Sequence, residues 1–309
     1  MVQQLNQFIQ RWMPILTPLS LVVGVLLEKI GGHLLFLVPI IFALMTFISS
    51  LKLKFKDIKV FKQYPNTILF VIAFLHILMP LWAYFLAQVF FDDHLLSIGF
   101  LLSVAVPTGV TSVIWVTISK GNLPLCLALI LIDTLLAPVI MPMTVHFVIS
   151  ETIHLETASL ILDLIWMIVL PSILGMIINE WSKGKLEEKM RTPFALVSKL
   201  CLFCIIMINS SAIAPFVKNL DAKLVGVIGL VLFVAISGYT FSLILGRLFW
   251  KSHADQATII FNAGMRNISV GVVIATTYFP SKVAMPVVFG MLFQQVLAST
   301  FYRIIRTKD

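Results

Sequence analysis

The sequence predicts an all-α polytopic membrane protein, a single domain over 1–309. It reads as ten transmembrane helices in two inverted five-helix repeats, with the fourth and ninth helices broken. Three observations predict this. The chain is 60% hydrophobic and only 12% charged, with mean hydropathy +1.03, whereas a soluble protein carries roughly 25% charged residues. Its apolar runs are long enough to cross the hydrocarbon core, which takes about 20 residues per helix. Finally, Pro107-Thr108-Gly109 interrupts the fourth run and Asn262-Ala263-Gly264 the ninth, the corresponding member of each set of five. Five is odd, so the second set enters from the opposite face.

The spans run approximately 14–30, 33–51, 66–91, 95–119, 122–149, 157–181, 195–217, 222–250, 254–278 and 280–304. The first repeat covers about 14–149 and the second about 157–304. The loops set the orientation. Lys52, Lys54, Lys56, Lys59 and Lys62 follow the second span, and Lys183, Lys185, Lys189 and Arg191 follow the sixth. Arg247 and Lys251 lie on the same side, as do Arg303, Arg306 and Lys308. The opposite side keeps Lys29, Lys218, Lys223 and Lys282 beside Asp92, Asp93, Glu151 and Glu156. An excess of Lys and Arg marks cytoplasmic loops. Both termini are therefore expected in the cytoplasm of a multi-pass cell-membrane protein. The net charge of +8 is a topology signal on this reading, not a nucleic-acid footprint. The first thirteen residues hold one basic residue, Arg11, and no small-residue cleavage site, so they do not resemble a secretory signal peptide.

The stretch from Phe261 to Ser269 places two amides, a glycine and Arg266 midway along an apolar run. An arginine at the bilayer centre costs ~2.5–3.5 kcal/mol or more, which marks a functional site by default. Gly and Asn both weaken a helix locally. A break at that depth is tolerated only where it is buried in protein or lines a water-filled cavity. Paired interruptions in the two halves are a pointer to a transporter's binding site, here Pro107, Gly109 and Gly264. Depth follows from the helical rise: Arg266 and Pro107 lie about 18 Å into their spans, Asp133 about 16 Å and His76 about 15 Å. In a core of about 30 Å, all four sit near the midplane. Asn209, Gln294 and Gln295 lie within a turn or two of that level. Asp133 and Arg266 are then expected to be partners, each making the other's burial tolerable. They form either a static bridge or a site in which Arg266 clasps a carboxylate and Asp133 accepts a proton or cation. His76 is either a packing residue or a group titrating near neutrality. Thr108, Ser112, Asn262 and Asn267 supply the other polar groups at the breaks, and Asp163 falls nearer the outer interface.

Other function classes find little support. The sequence has no H-E-x-x-H, no G-x-S-x-G and no P-loop, which argues against an intramembrane enzyme and against ATP as the driver. Nothing resembles a channel filter or a charged ring. Cys126, Cys201 and Cys204 lie in apolar runs without the companions of a zinc site. No metal and no other cofactor is expected.

Pro107-Thr108-Gly109-Val110-Thr111-Ser112, Lys120-Gly121-Asn122 and Asp133-Thr134-Leu135-Leu136-Ala137-Pro138 resemble the fourth and fifth helices of the bile acid:sodium symporter family. Asn262-Ala263-Gly264-Met265-Arg266-Asn267 resembles that family's ninth-helix motif, of the Glu-x-Gly-Met-Gln-Asn type. The resemblance implies ten helices in two inverted repeats, with the broken fourth and ninth crossing beside the solute and sodium sites. It also implies a small organic anion as solute: a bile acid, pantoate or a keto acid. The departures lie at the sodium site. Asn262 stands where the family has a sodium-binding glutamate, Arg266 where it has the motif glutamine, and Val113 where an asparagine follows the matching Ser112. The family's third-helix glutamine falls near Leu75, beside His76. Arg266 is therefore expected in the volume that sodium fills in relatives, with Asp133 as counter-charge. Transport would be sodium-independent, with a proton as the alternative coupling ion through Asp133 or His76. An efflux carrier of the same superfamily, for arsenite or a weak organic acid, is the other transport reading; arsenite would need a thiolate such as Cys126 near the crossing.

Overall fold

The computed structural model describes residues 2–149, 157–217 and 221–305. Glu151, Glu156, Lys218, Arg306 and Lys308, used above to assign the two sides, lie outside the described residues. Apart from one isolated bridge, the regular elements of the described chain are all helices. In order it forms α1 (Val2–Leu26), α2 (Glu28–Ser50) and α3 (Pro65–Phe91). Then come α4 (His94–Ala105), α5 (Ser112–Ile118), α6 (Leu123–Ile149) and α7 (Thr157–Trp181). The rest is α8 (Lys185–Val217), α9 (Ala222–Phe249), α10 (His253–Gly264), α11 (Ile268–Tyr278) and α12 (Ser281–Ile305). Among the described residues, 7 helices are long and apolar enough to cross a membrane, or 8 if the bent pair Val2–Met13 and Ile15–Leu26 is one span. The pairs α4/α5 and α10/α11 are the two interrupted segments, broken at 106–111 and 265–267.

The surface shows the solvent these helices are built for. On α3, Ile77, Leu81 and Phe85 are exposed, four residues apart and so on one helix face. Leu75, Met79 and Ala83 on the other face are buried. Large apolar side chains on both faces suit a helix with lipid on one side and protein on the other.

Two boundaries differ from expectation. The break after α1 falls at Leu27, not between the expected spans 14–30 and 33–51. Gly31 is buried within α2, where a Cβ would stand 2.5 Å from the Ser211 side chain. That glycine serves close helix packing rather than chain reversal. Helix α8 also begins ten residues before the apolar run, because Lys185 to Met190 are strong helix formers that carry it out of the hydrocarbon.

Packing divides the helices into two groups. Helix α1 runs along α8, and α2 lies against α7 and α8. In the other group α3 packs on α4, α9 on α10, and α12 on α4, α9 and α11. Asp93 ties the second group together at one end. It caps α4 by accepting from Leu96 N at 3.3 Å. It also accepts from Lys223 Nζ at 2.8 Å, at the start of α9, and from Lys282 Nζ at 2.6 Å, at the start of α12. Burial acts to raise the Asp93 pKa, but the bonds from Lys223, Lys282 and Leu96 N outweigh it and hold the carboxyl at about 2, against an ordinary 3.8. A depressed folded-state value stabilises above the unfolded value and is lost as pH falls through the folded one. This tie is expected to be complete above about pH 4 and to fail toward pH 2. A thermal melt of wild type against Asp93→Asn should show a difference at pH 5 to 7 that shrinks on acidification.

Candidate functional site

The interrupted segments meet. Gly109 N donates to Met265 O at 2.9 Å and Asn267 N to Pro107 O at 2.7 Å, an antiparallel bridge between Thr108 and Arg266. Other groups freed by the breaks are also satisfied. The Thr108 hydroxyl donates to Asn262 O at 2.7 Å and lies 3.2 Å from Met265 O. Arg266 N donates to Gln294 Oε1 on α12 at 3.1 Å. An unsatisfied backbone group in hydrocarbon costs several kcal/mol; the two breaks become tolerable by pairing with each other.

Asp133, fully buried on α6, accepts from Thr108 N at 2.6 Å through Oδ2. Its Oδ1 lies 2.5 Å from His76 Nε2. The ring is set by a π-helical turn, Phe74–Leu78, within α3. Pro80 has no N–H to offer the carbonyl four residues earlier; that carbonyl, His76 O, accepts from Thr144 Oγ1 at 3.3 Å. His76 Nδ1 is buried without a partner among the described residues.

The expected direct pair between Asp133 and Arg266 does not form. Both Asp133 oxygens are taken by His76 and Thr108 N, and the terminal nitrogens of Arg266 are buried with no hydrogen-bond partner among the described residues. The two charges remain within electrostatic reach of each other. Depth along a helix places both groups at one level, but it does not say which way each one faces.

Ser112 and Asn262 are fully buried side by side. Ser112 Oγ is 3.4 Å from Asn262 Oδ1, and Cys126 Sγ is 3.8 Å from each of the two. The Asn262 amide nitrogen donates to Thr258 O at 2.9 Å. Sodium, a hard cation, needs a cage of oxygens. Ser112 and Asn262 offer one hydroxyl and one amide oxygen, the latter contacted at 3.4 Å and 3.8 Å, and no carboxylate joins them among the described residues. Cys126 sits beside the crossing, against Ser112 and Asn262, but does not line the cavity described next.

A cavity of about 240 Å³ separates the two helix groups. One end is lined by Lys52, Glu187, Arg191 and Lys199; the other reaches Gly109, Arg266, Asn267, Gln294 and Gln295. Thr134 lines it, whereas Asp133, Thr108, Ser112 and His76 do not. Gln295 Oε1 accepts from Trp115 Nε1 at 3.3 Å and Gln294 Oε1 from Arg266 N, so both glutamines keep their amide N–H groups to donate. The sequence placed the two glutamines at the right level but gave no reason to assign them a role. Asn209 also lies near mid-span, buried with both side-chain polar atoms unpartnered among the described residues, but it does not line this cavity.

Tyr239, on α9, was not foreseen. Its ring stacks on Phe301 with centroids 4.8 Å apart. A Cβ on Gly264 would stand 2.3 Å from Tyr239 Cε1, so Gly264 is the hollow into which the ring packs. Gly264→Ala is expected to lower stability by ~1–3 kcal/mol, the usual cost of overpacking a filled core. A shift in the detergent-solubilised melting midpoint would check it, and Tyr239→Leu in the same chain should recover part of the loss.

The sequence profile of the SBF-like CPA transporter family matches residues 12–302. The chain is 41% identical over 290 residues to an uncharacterized protein, YbaS, of Bacillus subtilis, covering 94% of this chain and 95% of that one. It is 25% identical over 252 residues to the uncharacterized sodium-dependent transporter YocS of the same organism, covering 81% and 76%. It is also 25% identical over 231 residues to the probable sodium/metabolite cotransporter BASS1, chloroplastic, of Arabidopsis thaliana, covering 74% and 56%.

Proposed function

Because the chain belongs to the SBF-like CPA transporter family, and so is a membrane transporter rather than an enzyme, we propose that it moves a small organic anion by alternating access. Helices α1 to α12 then make ten spans in two inverted five-helix repeats, the pairs α4/α5 and α10/α11 each counting as one span. Both termini are cytoplasmic on this reading, and the cavity between the helix groups opens among the lysine-rich loops. The group formed by α1, α2, α7 and α8 would rock against the rest around the paired breaks.

One observation carries the anion: Arg266 stands at the head of the cavity with its two terminal nitrogens unpaired among the described residues, beside Gln294 and Gln295, whose oxygens are bonded and whose amide N–H groups are left to donate. Donors collect there, and Asp133 directs its hydrogen bonds to His76 and Thr108 N. YocS and BASS1 are named for sodium; in this chain the positions that resemble a sodium site hold Asn262 and Arg266. We infer that Arg266 supplies permanently the positive charge that a bound sodium ion supplies elsewhere. Asp133 balances it at a distance while orienting Thr108 N.

The test for solute class is a thermal-shift screen of the purified protein with pyruvate, pantoate, branched keto acids and taurocholate, each with and without sodium. The reading predicts stabilisation by at least one of these anions to the same extent in either salt. No response to any of them, or a response that needs sodium, counts against it. Coupling to protons is a second reading, favoured by the 2.5 Å contact between His76 and Asp133. A proton entering that pair would act directly on the Thr108 bond and hence on the bridge between the breaks.

A further inference from the structure

A second, smaller cavity of about 40 Å³ lies beside the first, walled by α3, α4, α9 and α12 together with residues 263–268. Arg266, Ile268 and Gln294 line both cavities and form the wall between them. By the measure in which a water needs ~10–15 Å³, the smaller one has room for about three water-sized groups. Most of its lining is apolar: Met79, Val104, Val231, Val234 and Leu297 among others. Its polar content is concentrated and unspent. Both terminal nitrogens of Arg266 and the hydroxyl of Tyr239 are buried without a hydrogen-bond partner among the described residues. Arg266 is 5% exposed and Tyr239 1%. Gln294, with its oxygen committed to Arg266 N, has an amide N–H₂ left to give.

Buried polar groups are nearly always bonded, and an unpaired buried charge is the most costly exception. Asp133 contributes negative charge from a distance, but its hydrogen bonds go to His76 and Thr108 N and none reaches the guanidinium. The unspent groups at this cavity are a guanidinium, a hydroxyl and an amide N–H₂, each able to donate. A cation would meet a like charge and no anionic oxygen, and water could accept from the donors but would bring the guanidinium no charge of its own.

We infer that this chain binds a small monovalent anion between Arg266, Tyr239 and Gln294. The ligand is a single halide or a carboxylate head of about three heavy atoms. The guanidinium provides the charge and a two-pronged donor, the Tyr239 hydroxyl a third bond, and the apolar wall excludes anything larger. A carboxylate head would come from the solute itself, reaching past Arg266 from the larger cavity; a halide would be a co-ion that holds the crossing together between solutes. The site deepens the transport reading, since it gives the fixed charge its ligand, but its measurement needs no gradient and no uptake.

The experiment is thermal unfolding of the detergent-solubilised full chain in potassium methanesulfonate, potassium chloride and potassium formate at one ionic strength. Methanesulfonate is the reference, being monovalent, without a carboxylate head and, at five heavy atoms, too large for the cavity. Chloride, formate or both should raise the midpoint by a few degrees in wild type, with a saturating dose dependence. Response to chloride alone identifies a free inorganic anion; response to formate alone, a carboxylate head. Tyr239→Phe keeps the ring packing and should weaken the apparent affinity about tenfold, the order expected for a bond to a charged group. Arg266→Gln should abolish the response, and Arg266→Lys should keep part of it. Equal midpoints in all three salts for wild type, or an undiminished response in Tyr239→Phe, would overturn the inference whatever the uptake assays show.

Discussion

Asp133→Ala is expected to destabilise the protein by ~3–5 kcal/mol, the range found when one member of a buried charged set is removed. The substitution takes the acceptor from Thr108 N, at the point where the two breaks pair. It also strips His76 Nε2 of its partner and leaves Arg266 with no negative charge in reach. Each buried donor left without an acceptor costs ~1–3 kcal/mol on its own. Asp133→Asn should behave differently. Its amide oxygen can still accept from Thr108 N, and its N–H₂ can donate to His76 Nε2 once the ring proton moves to Nδ1. That tautomer is open to the histidine because Nδ1 has no competing partner. The asparagine variant should therefore melt within ~1–2 kcal/mol of wild type yet lose transport, since the charge that balances Arg266 is gone. Melting curves and proteoliposome uptake on the two variants separate the structural role of Asp133 from its electrostatic one. Equal melting of both variants would remove the hydrogen-bond argument.

Arg266→Gln is the second large effect, and its sign is opposite for stability and activity. A guanidinium with two unpartnered terminal nitrogens does not hold the fold together, so its removal should leave the melting midpoint unchanged or higher. Sites kept for function often sit at a cost to stability. Uptake should fall at least about tenfold, the factor attached to one charge-assisted bond. A variant that inserts but fails to fold would instead make Arg266 a packing element.

Much of this was legible before the structure, for reasons that differ by residue. An arginine in an apolar run is conspicuous at any depth, and helical rise alone placed Arg266, Asp133, His76 and Pro107 at one level. Spacing along a helix gives height but not azimuth, however. The engagement of Asp133 by His76 and by the Thr108 backbone, with Arg266 left over, depends on how separate helices are rotated. The pairing of Pro107 with Asn267 and of Gly109 with Met265 was out of reach, because it joins backbone groups more than 150 residues apart whose side chains carry no sign of it. The first two spans were expected to part between residues 30 and 33, but glycine serves equally for reversing a chain and for letting two helices touch, and Gly31 does the second. Tyr239 was missed because one tyrosine in a hydrophobic span is ordinary; its importance comes from the hollow at Gly264 and the guanidinium nearby. Gln294 and Gln295 were noticed for their level, but only the bonds to Arg266 N and Trp115 show which of their atoms are free.

The claim on which the account turns is that a protein-borne cation does the work that a bound sodium ion does in transporters named for it. The measurement is uptake of the anion found by the thermal-shift screen, in proteoliposomes carrying an inward sodium gradient, an inward proton gradient or neither, at constant membrane potential. The account predicts that the sodium gradient leaves the initial rate and the accumulation level unchanged. A clear, saturable stimulation by sodium alone, with the proton gradient without effect, would contradict it.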